Sequence, residues 1–139
     1  MKITPEILDK IREKFEHNPF PRSIGIEIDS IEEGRARLSL EVTPQHLQLQ
    51  GVMHGGAIAT LIDTAGAFAI ISVSAPGARF TTVELKINYL SAIREGRVTA
   101  EAWIVRDGRR IVVAECDLHD ASGRLAAKGL LTYIRLDKG

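Results

Sequence analysis

The chain has 139 residues, 45% hydrophobic and 26% charged, which suits one folded domain spanning 1–139 with a substantial core and leaves no room for a second. Lys and Arg balance Asp and Glu at 18 each, so no broad electrostatic field favours nucleic acid or an anionic membrane, and any phosphate contact has to come from a local cluster. The single cysteine, Cys116, excludes an internal disulfide, no Cys-x-x-Cys or His-rich tract points to a metal, and the charged N-terminus lacks the apolar core of a signal peptide; a cytoplasmic setting is expected.

In chain order, Thr4 and Pro5 read as the N-cap and first residue of a short amphipathic helix within 1–18. Ile7, Leu8, Ile11 and Phe15 form its apolar stripe, and it ends before Asn18-Pro19. After Pro21 the period changes to two: Ile24, Ile26 and Ile28 alternate with polar residues, then Ala36, Leu38, Leu40 and Val42 follow the Glu33-Gly34 turn, predicting two paired strands.

Residues 55–74, GGAIATLIDTAGAFAIISVS, are too long for a strand and apolar on every side except at Asp63, which predicts a buried helix. A bilayer span is disfavoured by the short apolar stretch, by the mid-segment Asp63 and by flanking strands of soluble type. Four more period-two runs follow, marked by Val83 to Tyr89, Val98 to Ile104, Val112 to Leu118 and Leu125 to Ile134. Arg94-Glu95-Gly96, Asp107-Gly108 and Ser122-Gly123 separate them, the last two being short hairpin signals. One wholly apolar helix among hairpin-linked strands implies an α+β architecture, a curved antiparallel sheet wrapped around the central helix. Open strand edges in such a sheet favour pairing in a symmetric dimer.

Asp63 carries the strongest chemical signal. A carboxylate in a buried helix costs several kcal/mol, on the order of a lost charge pair, unless it is paired, hydrogen-bonded or facing a wet cavity, and the helix contains no Lys or Arg to neutralise it. It either satisfies a neighbouring loop or reaches solvent at a subunit boundary, or it serves as a general base or nucleophile. Ahead of the helix, Gly51-Val52-Met53-His54-Gly55-Gly56 sets two glycines where free backbone N–H groups are approachable by a ligand oxygen, an oxyanion-type site; a plain glycine turn, and a His54 that only caps or packs, are the competing readings. Gly55 and Asp63 are eight positions apart, roughly 12 Å along a helix axis, too far for both to touch one carbonyl. In a two-fold dimer with antiparallel helices, each helix start would meet the Asp63 of its partner.

Gln48, the Gly51-Val-Met-His54-Gly55-Gly56 run and Asp63 in a small-residue helix resemble the signature of PaaI-type hotdog thioesterases, and the resemblance extends to Phe20-Pro-Arg-Ser-Ile-Gly-Ile-Glu-Ile, to Thr82-Val-Glu-Leu-Lys-Ile-Asn-Tyr89-Leu and to the Gly108-Arg-Arg hairpin. It implies hydrolysis of an aryl- or short/medium-chain acyl-CoA, with coenzyme A as part of the substrate and no other cofactor, and a homodimer with shared sites, paired again as a dimer of dimers. By resemblance, the Gly55 N–H polarises the thioester carbonyl and Asp63 of the facing subunit activates water or attacks directly. Gln48 positions water or thioester, His54 hydrogen-bonds near the reacting group, and Thr82 orients the water, with Thr81 one register away. Gln48 is closer to relatives that act on aryl groups carried by proteins, although those usually have Glu at the position of Asp63. Arg109 and Arg110, with Arg106 the densest basic group, and Gly56 are candidates to hold the CoA phosphates. Phe68, Phe80 and Tyr89 are candidates for the acyl pocket. Two other functions remain in view: a hydratase, whose His-plus-acid motifs are not seen, and a non-catalytic acyl-CoA binder.

Overall fold

Thr4 opens the first helix by accepting a hydrogen bond from the Ile7 N–H at 3.2 Å, and α1 runs Pro5–Glu16 in a computed structural model that describes residues 2–136. The helix is pinned to the body by Phe15, edge-on to Phe68 at 5.4 Å, and by Arg12, whose guanidinium donates to the Ile28 carbonyl at 2.8 Å.

The expected first strand starts later than its pattern. Pro19–Ser23 form a short helix, α2, because Pro19 preorganises the first helical position and the Ser23 hydroxyl ties back to the Phe20 carbonyl at 2.7 Å. Gly25, at φ 82°, then reverses the chain into β1, Glu27–Glu32. Ile26 and Ile28 point inward as the alternation requires, but a register shift between Ile28 and Ser30 makes Ile31 the next buried position. The remaining strands are β2 Arg35–Glu41, β3 Arg79–Tyr89, β4 Arg97–Asp107, β5 Ile111–His119 and β6 Leu125–Leu136.

The central helix, α3, spans Gly55–Ile71, three residues shorter than the apolar segment. It stops because Ser72 closes the last turn, its hydroxyl donating to the Ala69 carbonyl at 2.6 Å, and residues 73 and 74 continue only in tighter three-residue turns.

All six strands lie in one antiparallel sheet of order β1-β2-β4-β5-β6-β3, curved around α3, which rests mainly on β2, β4 and β5. This is the α+β hotdog arrangement that the resemblance implied. Leu38, Leu40, Leu61, Ile62, Leu118 and Leu131 are fully buried between helix and sheet, each contributing about 1.5–3 kcal/mol of apolar burial. At one end of the sheet, β3 pairs among the described residues only with β6, and it exposes Val83, Leu85 and Tyr89. Among the described residues no helix is long and apolar enough to cross a membrane.

Candidate functional site

The loop before α3 is stiff. Gly51, at φ 78°, turns the chain so that its N–H reaches the Gln48 carbonyl and the Gln48 N–H reaches the Val52 carbonyl, both at 2.9 Å. The Gln48 side chain folds over the same turn, its carbonyl accepting from the Gln50 N–H and its amide donating to Gln50 Oε1 at 3.4 Å. Below the turn, buried His46 braces the loop: its Nδ1 accepts from the Thr43 N–H at 2.9 Å, which leaves Nε2 to donate to the Ile24 carbonyl at 2.7 Å.

His54 is the N-cap of α3. Its Nδ1 accepts from the Gly56 N–H at 2.8 Å, and its carbonyl takes the N–H groups of Ala57 and Ile58 at 3.0 and 3.3 Å. The ring proton therefore sits on Nε2. Of the four N–H groups that open the helix, only that of Gly55 has no hydrogen-bond partner among the described residues. The Gly56 N–H, expected to be available to substrate, is used by His54. Beside Gly55, Tyr89 lays its ring against the backbone and donates its hydroxyl to the Gly55 carbonyl at 3.2 Å. An open cleft of about 380 Å³ lies there, lined by Met53, Gly55, Ile58, Tyr89 and Leu90. Tyr89 is thus the one proposed pocket aromatic at the cleft, whereas Phe68 packs on Phe15 and Phe80 packs edge-on to Tyr133 at 5.9 Å.

Two turns further along α3, half-buried Asp63 meets the sheet. Thr82 donates to Asp63 Oδ1 at 2.9 Å, while Thr81, its neighbour in β3, is exposed. Tyr133 of β6 shares its hydroxyl proton between the same oxygen, at 3.0 Å, and the Asp63 backbone carbonyl, at 2.9 Å. Asp63 Oδ2 has no hydrogen-bond partner among the described residues. No pattern in the sequence singled out Tyr133, which reads only as an apolar-face aromatic in a strand. Nor did it single out Gly66, where a side chain would collide with the Tyr133 hydroxyl. Burial first, and then the negative charge of Asp63, push the Tyr133 phenol well above its ordinary range, so it stays a neutral donor.

Within one chain the two halves stay apart. Asp63 is tied to Thr82 near the start of β3 and Gly55 to Tyr89 at its end, and eight helical residues separate them by roughly 12 Å along the axis. Arg109 and Arg110 are exposed at the β4–β5 turn, at the sheet end that carries Thr82, Tyr133 and Val112 in register. A residue not anticipated, Arg135, fixes that turn by donating to the Gly108 carbonyl at 2.6 Å and pairing with Asp107 at 2.8 Å. Among the described residues no group of three or more His, Cys, Asp and Glu is gathered to hold a metal ion.

The model of the thioesterase superfamily matches residues 50–127, a stretch that includes Gly55, Asp63 and Thr82. A relative from Saccharolobus solfataricus is 33% identical over 111 residues, covering 80% of this chain and 73% of its own. The medium/long-chain acyl-CoA thioesterase YigI of Escherichia coli (strain K12) is 27% identical, with 85% of this chain and 86% of that protein covered. Among solved structures, a thioesterase from Haemophilus influenzae superposes with a TM-score of 0.85 at 27% identity, covering 99% of this chain and 93% of that one. The Escherichia coli PaaI protein from the phenylacetic acid degradation operon gives a TM-score of 0.86 at 25% identity, over 94% of this chain and 93% of that one.

Proposed function

We propose, since the chain belongs to the thioesterase superfamily, that this thioester hydrolase cleaves an aryl- or short/medium-chain acyl-CoA to the free acid and CoA. The observation that carries the reading is a division of labour on one helix: an uncommitted N–H at Gly55 and an anchored carboxylate at Asp63, too far apart to serve one carbonyl within a single chain.

A two-fold homodimer with antiparallel α3 helices joins the two halves. Its support is the edge strand β3, unpaired on its outer side, with Val83, Leu85 and Tyr89 exposed on the strand that touches both Asp63 and Gly55. In the composite site the Gly55 N–H donates to the thioester oxygen and stabilises the charge that develops there. Asp63 of the facing subunit takes a proton from water as that water attacks the carbonyl carbon, and gives it to the thiolate when the acyl–sulfur bond breaks; or its carboxylate attacks the carbon itself, the CoA thiolate leaves and takes a proton from solvent, and water then hydrolyses the mixed anhydride to the free acid. Thr82 holds the carboxylate and offers its oxygen to the water. His54 caps the helix with Nδ1 and offers Nε2–H to the reacting group, and the Gln48 amide, folded over the turn before α3, turns from Gln50 to position water or thioester. Arg109 and Arg110 meet the CoA phosphates. The apolar lining of the cleft and its volume of about 380 Å³ suit an aryl or short acyl group. The proposed setting is the cytoplasm, with dimers paired into a dimer of dimers.

A second reading, in which the thioester is presented on an aryl carrier protein, has Gln48 in its favour. Thiol release from aryl, short-chain and long-chain acyl-CoA and from an aryl carrier-protein thioester, by the native protein and by Asp63→Ala, tests both. We expect release from an acyl-CoA and its loss in the variant. Equal rates for the two proteins sink the catalytic assignment, and release from the carrier-protein substrate alone moves it to the second reading. Consumption of an enoyl-CoA without thiol release would assign a hydratase instead.

A further inference from the structure

We infer that Tyr133 is a positioning residue for the Asp63 carboxylate and that Gly66 is the space in α3 that admits it. The inference rests on Asp63 being the reactive carboxylate, as proposed above.

Two hydroxyls from neighbouring strands converge on one carboxylate oxygen, Thr82 from β3 at 2.9 Å and Tyr133 from β6 at 3.0 Å, because Thr82 and Tyr133 are cross-strand partners. Thr82 donates to Oδ1, and Tyr133 shares its one proton between Oδ1 and the Asp63 backbone carbonyl, 2.9 Å away, so the side chain is clamped to its own backbone as well as to β3 and confined to one rotamer. Oδ2 has no partner among the described residues. That asymmetry is what a base or nucleophile needs. Tyr133 is 1% exposed, so water does not replace its hydrogen bond, and its ring is braced edge-on by Phe80.

Gly66 lies three residues beyond Asp63, on the same face of the helix. A Cβ built there would stand far inside van der Waals contact of the Tyr133 hydroxyl, 3.1 Å from Leu131 Cδ2 and 3.3 Å from Tyr133 Cζ. Glycine is a poor helix former, and here its φ is not positive, so the conformation does not require it. The space does.

No cation forms a salt bridge with Asp63 among the described residues, so hydrogen bonds set the position of its carboxylate, from Thr82 of β3 and Tyr133 of β6.

The test compares native protein, Tyr133→Phe, Gly66→Ala and the double variant on one acyl-CoA that the native protein hydrolyses. Tyr133→Phe is expected to lower kcat about tenfold or more with KM changed less than about threefold. Gly66→Ala displaces the same hydroxyl from the helix side, so it reads out the bond even if removing the hydroxyl loosens the fold. The double variant should lose less than the product of the two single losses, because the closest contact of the methyl, with the Tyr133 hydroxyl, is then gone. A Tyr133→Phe enzyme with native kcat, or one whose KM rises as far as its kcat falls, overturns the inference while the thioesterase reading stands, and losses that multiply in the double variant overturn the role of Gly66. If Asp63→Ala hydrolyses as fast as the native protein, the underlying reading itself fails.

Discussion

Two adjacent glycines at the start of α3 should respond in opposite senses to the same methyl group. At Gly55 an added Cβ meets only the Tyr89 ring, at 3.4 Å, which is ordinary contact, and the backbone there is already helical. Gly55→Ala should therefore gain about 0.4–1 kcal/mol from the smaller entropy of its unfolded chain. At Gly56 the Cβ would lie 2.9 Å from His54 Nδ1 and 3.1 Å from its Cε1. The ring must move and weaken the cap bond that it makes to the Gly56 N–H, at a cost of about 0.5–2 kcal/mol. Gly55→Ala should thus melt about 3–12 °C above Gly56→Ala, since about 1–3 kcal/mol separates them in a chain of this size. Activity should not follow stability: the Gly55 methyl crowds the uncommitted N–H, and displacing an oxyanion from its donor costs on the order of 100-fold in kcat. Calorimetric melting at matched protein concentration, with initial rates of thiol release on the same samples, measures both. A Gly56→Ala protein as stable as Gly55→Ala would refute the cap, and an unimpaired Gly55→Ala enzyme would refute the role given to the N–H.

Other outcomes follow from charge and burial. Cys116 and Tyr133 are both raised by burial, so from about pH 9 upward the unfolded chain loses protons that the folded one keeps. That stability is complete below the unfolded pKa values and falls as pH rises beyond them, by up to about 1.4 kcal/mol per pH unit for each group; urea midpoints that stay flat between pH 8 and 11 would contradict it. Arg109→Glu with Arg110→Glu should raise KM about fivefold or more for an acyl-CoA and leave an acyl-pantetheine, which lacks the nucleotide phosphates, unchanged. Equal effects on the two substrates would detach these arginines from the phosphates.

Local sequence determined much of the fold. Thr4-Pro5, the Gly-Gly start of α3 and the turns at Asp107-Gly108 and Ser122-Gly123 act within a few residues, so their positions could be read directly. Asp63 was legible because one carboxylate interrupts an apolar helix, and its distance from Gly55 followed from helical rise alone. The helix at Pro19–Ser23 was not, since its alternating isoleucines obey a strand pattern until Gly25 turns the chain. In β3 the shift between Thr82 and Glu84 changes which residues face inward: Phe80 and Thr82 are half-buried before it, Ile87 after it, and Val83 is left exposed. A period-two pattern carries straight through such a bulge and cannot register it. The partnership of Asp63 with Tyr133 spans 70 positions and depends on Gly66 leaving room for a hydroxyl. Sequence alone determined that a carboxylate stands in the helix; only the tertiary structure decided which of its oxygens is held, because that depends on strand register and on a void between helix and sheet, neither of which is a property of neighbouring residues.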